Sequence, residues 1–105
     1  MSRSTNIWVA FACAMASGAA IAAPANPQNG AMLARHWCAA CHIVSDEQAS
    51  GTDNVPTFAA IAAIPGLDAK RIAKFLADPH PKMPDMQLSR SEAADLAAYI
   101  ASLRK

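Results

Sequence analysis

Apolar positions in the last two thirds of the chain recur at three- and four-residue steps, the period of helices packed on one side. A first helix is predicted at about residues 28–40. Asn26-Pro27 ends a tether, proline is tolerated in a first turn, and Met32, Leu33, Trp37 and the two cysteines Cys38 and Cys41 form the stripe. Gly30 interrupts this pattern, at about 1 kcal/mol against alanine. It reads either as a frayed start or as a place where another backbone comes close. Residues 43–55 are polar and turn-rich, as in a surface loop.

A short apolar piece follows, carrying Phe58 and Ile61 and closed by Pro65-Gly66. Asp68 can cap the next helix, whose stripe is Ile72, Phe75 and Leu76, with Lys70, Arg71 and Lys74 on a solvated face. Asp78-Pro79 ends it, because a residue before proline avoids the helical region. The last helix spans 89–103. Ser89 and Glu92 form a capping box, and Leu96, Tyr99, Ile100 and Leu103 make the buried stripe. Arg104 and Lys105 sit where positive charge offsets the helix dipole. The fold class is all-α.

The first residues have a different pattern. Arg3 is followed by residues 7–23 without a charge, and the small residues Ala20, Ala22 and Ala23 offer cleavage points. This is the layout of a secretory signal peptide over residues 1–23, cut after Ala22 or Ala23, leaving a domain at 24–105. At about 17 residues, half of them small, the run is at the short limit for a membrane span. No span is expected after cleavage, and the expected location is the periplasm.

The chain of 105 residues allows one small domain, and a net charge of +1 gives no reason to expect a nucleic acid partner. Its 53% hydrophobic share overstates the core, because nearly half of it is alanine. Of three cysteines, Cys13 lies in the leader, so none is spare for a structural disulfide. Domains this small usually need a staple.

Cys38-Ala39-Ala40-Cys41-His42 supplies one. Two cysteines three apart, with histidine directly after the second, form a c-type haem attachment site. Each thiol adds across one vinyl group of the porphyrin, and a helical turn projects both sulfurs to one side. His42 then serves as the proximal iron ligand. A dithiol redox pair would need a βαβ context, and a zinc site would need a second ligand pair; neither is present. Haem c is therefore the expected cofactor. An opposite ligand is sought in Pro79-His80-Pro81-Lys82-Met83-Pro84-Asp85-Met86, where three prolines make the chain stiff. Such a loop can hold a weakly binding thioether with little entropy left to lose. Met83 is the first choice there, with Met86, His80 and an open site as alternatives.

With these residues the chain resembles the small monohaem class I cytochromes c of bacteria, from about Gln28 to Leu103. Cys38, Cys41 and His42 match the haem motif, and Met83 between Lys82 and Pro84 looks like the axial methionine. Gly30, Leu96 and Tyr99 match the residues where the first and last helices cross. The resemblance implies about four helices wrapped around one covalent haem. It also implies that the Pro56 carbonyl accepts a hydrogen bond from His42. Ala34 departs from the pattern, standing where an aromatic is common, so a looser crossing is expected. The implied function is one-electron transfer by a monomer, between periplasmic partners (a dehydrogenase, reductase or terminal oxidase), not an enzymatic reaction. Two other readings stay open: a haem subunit of a dehydrogenase, and a site with a labile methionine that binds small ligands.

Overall fold

The computed structural model describes residues 9–14, 18, 23–52, 54–78 and 82–105. Most of the signal peptide expected at 1–23 lies outside the described residues, as does His80 with its neighbouring prolines. The order is α1 (Pro27–Leu33), a π-helical segment (Ala34–Cys38), α2 (Phe58–Ala62), α3 (Ala69–Ala77) and α4 (Arg90–Ser102). There is no strand among the described residues, so the fold is all-α. None of these helices is long and apolar enough to cross a membrane.

The helix starts follow from local chemistry. Asn26 accepts from the Gln28 and Asn29 amides, Thr57 from Ala60 and Asp68 from Arg71. At α4 both halves of the Ser89–Glu92 capping box form, satisfying amides that the helix leaves unpaired.

α4 is the centre of the core. Ala93, Leu96, Ala97 and Ile100 are buried along it, at the three- and four-residue steps of one face. Ala34, Cys38, Val44, Phe58, Ala62 and Ile72 pack around that face, with Tyr99, Leu103, Ile61 and Leu76 partly buried at its edge. Four of these buried residues are alanines. They matter because small side chains let helix axes approach.

The crossing of α1 and α4 shows this most clearly. A Cβ on Gly30 would lie 2.6 Å from the Asp95 carbonyl carbon, closer still to its oxygen, and 2.8 Å from the Tyr99 Cβ. Of the two readings of Gly30, close backbone approach is the one observed. The crossing is tight, not loosened by Ala34, which is fully buried. Asp95 fastens it further, accepting from the Asn26 amide at 2.7 Å and from the Asn29 side chain at 2.9 Å.

Several large apolar residues of the expected stripes are only partly covered by the chain's own side chains. Met32 and Trp37 are 62% and 49% exposed, and Phe75 is 53% exposed. The buried positions of the first helical stretch are instead Gly30, Ala34 and Cys38, each four apart. Four residues overshoot an α-helical turn by about 40°. The π segment takes up that excess, through an Ala39 amide that donates to the Ala34 carbonyl at 3.0 Å. The helix therefore ends at Cys38, with small residues inward and larger ones outward. Arg104 departs as well. It donates to the carbonyls of Ala62, Ile64 and Leu67, tying the chain end to the far end of α2 instead of merely facing its own helix.

Candidate haem site

The motif closes as a turn immediately after the π segment. The Cys41 amide donates to the Cys38 carbonyl at 3.1 Å, and the His42 amide to the same oxygen at 2.8 Å. Neither cysteine is in a disulfide. They differ in setting, since Cys38 is buried and Cys41 is exposed. Burial pushes the Cys38 thiol up to about 11, and the nearby Cys41 adds to the rise. The thiol that points inward thus stays protonated at neutral pH, and its partner lies at the surface.

His42 is the one polar side chain buried among the described residues. Its Nδ1 lies 2.6 Å from the Pro56 carbonyl oxygen. A carbonyl only accepts, so Nδ1 carries the proton there, and Nε2 of the neutral ring keeps the lone pair. The Phe58 ring lies against the imidazole, with centroids 5.4 Å apart. Two thiols three residues apart and an imidazole with Nε2 free to donate are the donor set that haem c needs. The residues present fit the group.

The loop between His42 and α2 folds back on the motif. The Phe58 amide donates to the Ile43 carbonyl, and the Thr52 amide to the Cys41 carbonyl. Gly51 makes this possible: a Cβ there would lie 2.6 Å from the Cys41 oxygen. Gln48 reaches inward from the same loop, where composition alone suggests a solvated surface. No sequence signal marked it, because a glutamine in a polar loop looks like any other.

Tyr99 connects this loop to α4. Its hydroxyl donates to the Val44 carbonyl, and its ring lies 6.4 Å from that of Phe58. Burial raises the Tyr99 pKa above the ordinary phenol value; Arg35 opposes the rise, and Glu47 and Asp46 add to it. The folded state thus holds this proton more tightly than the unfolded chain does. Its contribution is full below the unfolded value of about 10 and is lost as pH rises through the higher folded value. Denaturation midpoints should therefore fall above about pH 10, and Tyr99→Phe should flatten that fall.

Met83 and Met86 are both half-buried, in a non-helical stretch that leads to α4. Asp85 accepts from the Gln87 amide at 2.9 Å, and Gln87 adopts a left-handed φ of 52°. Leu88, next along, packs against the core.

Comparison with known proteins gives the family of the chain. Residues 25–100 match the family described as cytochrome c oxidase, cbb3-type, subunit III. The chain is also similar to the cytochrome c-552 of Bradyrhizobium diazoefficiens, at 50% identity over 98 residues, covering 93% of this chain and 92% of that protein. No solved structure matches the chain.

Proposed function

The chain belongs to the small monohaem class I cytochromes c, and on that premise we propose that it carries single electrons between periplasmic redox proteins. Cys38 and Cys41 would hold the haem as thioethers, and His42 and Met83 would supply the ligands to its iron. Haem c, when bound, supplies a one-electron Fe(III)/Fe(II) couple. The protein's own residues keep it a carrier.

The observation that carries this reading is the pairing of His42 Nδ1 with the Pro56 carbonyl. It leaves Nε2 as the donor, fixes the ring direction and strengthens the imidazole as a ligand. Met83 would supply the second ligand from a stretch that Pro84 biases toward an extended conformation. With both ligands in place, small molecules would be kept off the iron, which supports electron transfer as the activity. The leader layout and the extracytoplasmic site of haem attachment support export to the periplasm. Partners dock weakly and transiently, as carriers require.

Met83→Ala tests the ligand set. The far-red sulfur–iron band should disappear from the ferric spectrum, and the reduced protein should bind carbon monoxide promptly at neutral pH. If Met86→Ala alone has these effects, the ligand is Met86. A second reading, that the chain is a haem subunit of a larger complex, is favoured by the description of the matched family. Co-purification with a larger polypeptide through salt washing would support it over the free carrier.

A further inference from the structure

We propose that Gln48 is a positioning residue for the axial histidine, holding the peptide from which the His42 ring hangs. This rests on the assignment of His42 as an iron ligand. The chain between His42 and α2 has no helix or strand among its described residues, so its backbone groups need partners from elsewhere. One side chain supplies several. Gln48 Oε1 accepts from the Val44 amide at 2.9 Å. Its Nε2 lies 2.8 Å from the Ala39 carbonyl, 2.8 Å from the His42 carbonyl and 2.9 Å from the Ser50 carbonyl.

The placement of these groups is what suggests the role. Ala39 stands between the two motif cysteines, His42 is the ligand itself, and Val44 is the residue that Tyr99 holds. Nε2 has two hydrogens for three carbonyls, so one is shared. His42 is thereby held at three points: its ring by Pro56, its amide by the Cys38 carbonyl and its carbonyl by Gln48. Removing Gln48 releases the carbonyl end, and the His42–Ile43 peptide can then turn and tilt the imidazole. Glutamate would keep the acceptor for Val44 but lose both donors, and asparagine is one methylene shorter.

Arg104 provides a matched comparison. It also binds three carbonyls, those of Ala62, Ile64 and Leu67, and none belongs to the motif. A purely structural Gln48 should behave like Arg104, lowering the melting temperature when removed and nothing else.

The test uses ferric holoprotein of the parent, Gln48→Ala, Gln48→Met and Arg104→Ala. Methionine keeps the length of the side chain without its hydrogen bonds, so one of the two Gln48 variants is available if the other accumulates poorly. Both are expected to shift the paramagnetic resonances of the His42 ring, the principal g values and the reduction potential. Arg104→Ala is expected to melt earlier with parental spectra. Parental g values, ring resonances and potential in the Gln48 variants, whatever their melting temperature, overturn the proposal. A parent protein without axial imidazole signals instead overturns the ligand assignment on which it rests.

Discussion

With Cys38 and Cys41 both replaced by alanine, haem should extract into acidic solvent and the denatured chain should no longer stain for it. The expected effect is all or none, because the proposed thioethers are the only covalent links to the group. Either single replacement leaves one link and therefore retains staining. The double variant should also lose most of its stability. The core relies on Ala34, Ala62, Ala93 and Ala97, which bury little apolar area each, and no disulfide joins the parent chain's cysteines. A double variant that still stained after denaturation would mean that the attachment residues had been misassigned.

Gly30→Ala should destabilise the holoprotein, although helix propensity alone predicts the reverse. Alanine inside a helix is worth about 1 kcal/mol over glycine. At this position, however, the added carbon would lie 2.6 Å from the Asp95 carbonyl carbon and 2.8 Å from the Tyr99 Cβ. Backbone cannot give way as the end of a flexible side chain can, so α1 and α4 must move apart. Overpacking of this kind typically costs about 1–3 kcal/mol, enough to reverse the propensity gain. Moving α4 also strains the Asp95 contacts to Asn26 and Asn29 and the Tyr99 contact to Val44. The denaturant midpoint of the ferric protein gives the sign directly. An increase on substitution would mean that the helices cross less closely than described.

The two predictions also show what could be read before the fold was known. The haem motif is local chemistry, complete within five residues, and its cofactor needs no tertiary information. The same holds for the Asp68 cap, the Ser89–Glu92 capping box and the stop at Asp78, whose partners lie within one turn. Large apolar residues were harder to place. Met32, Trp37 and Phe75 have the spacing of core residues yet are only partly covered by the rest of the chain, because periodicity gives a face and not the neighbour that covers it. The π segment was also hidden, since its shift depends on which face α4 must meet.

By itself, then, the sequence determined an all-α class, a covalent haem, its cysteines and histidine as the first candidates, and the places where helices begin. Those follow from bonds and spacings within a few residues. Only the tertiary structure decided that Gly30 and Ala34 form a tight crossing, and that Asp95 clamps the first helix. It also decided that Tyr99 and Gln48 turn inward to the loop beside the motif. Tyr99 meets Val44 55 positions away. The Gln48 contacts lie closer along the chain but depend on how an irregular loop folds back. Neither leaves a periodic trace, because such contacts are chosen by packing in three dimensions.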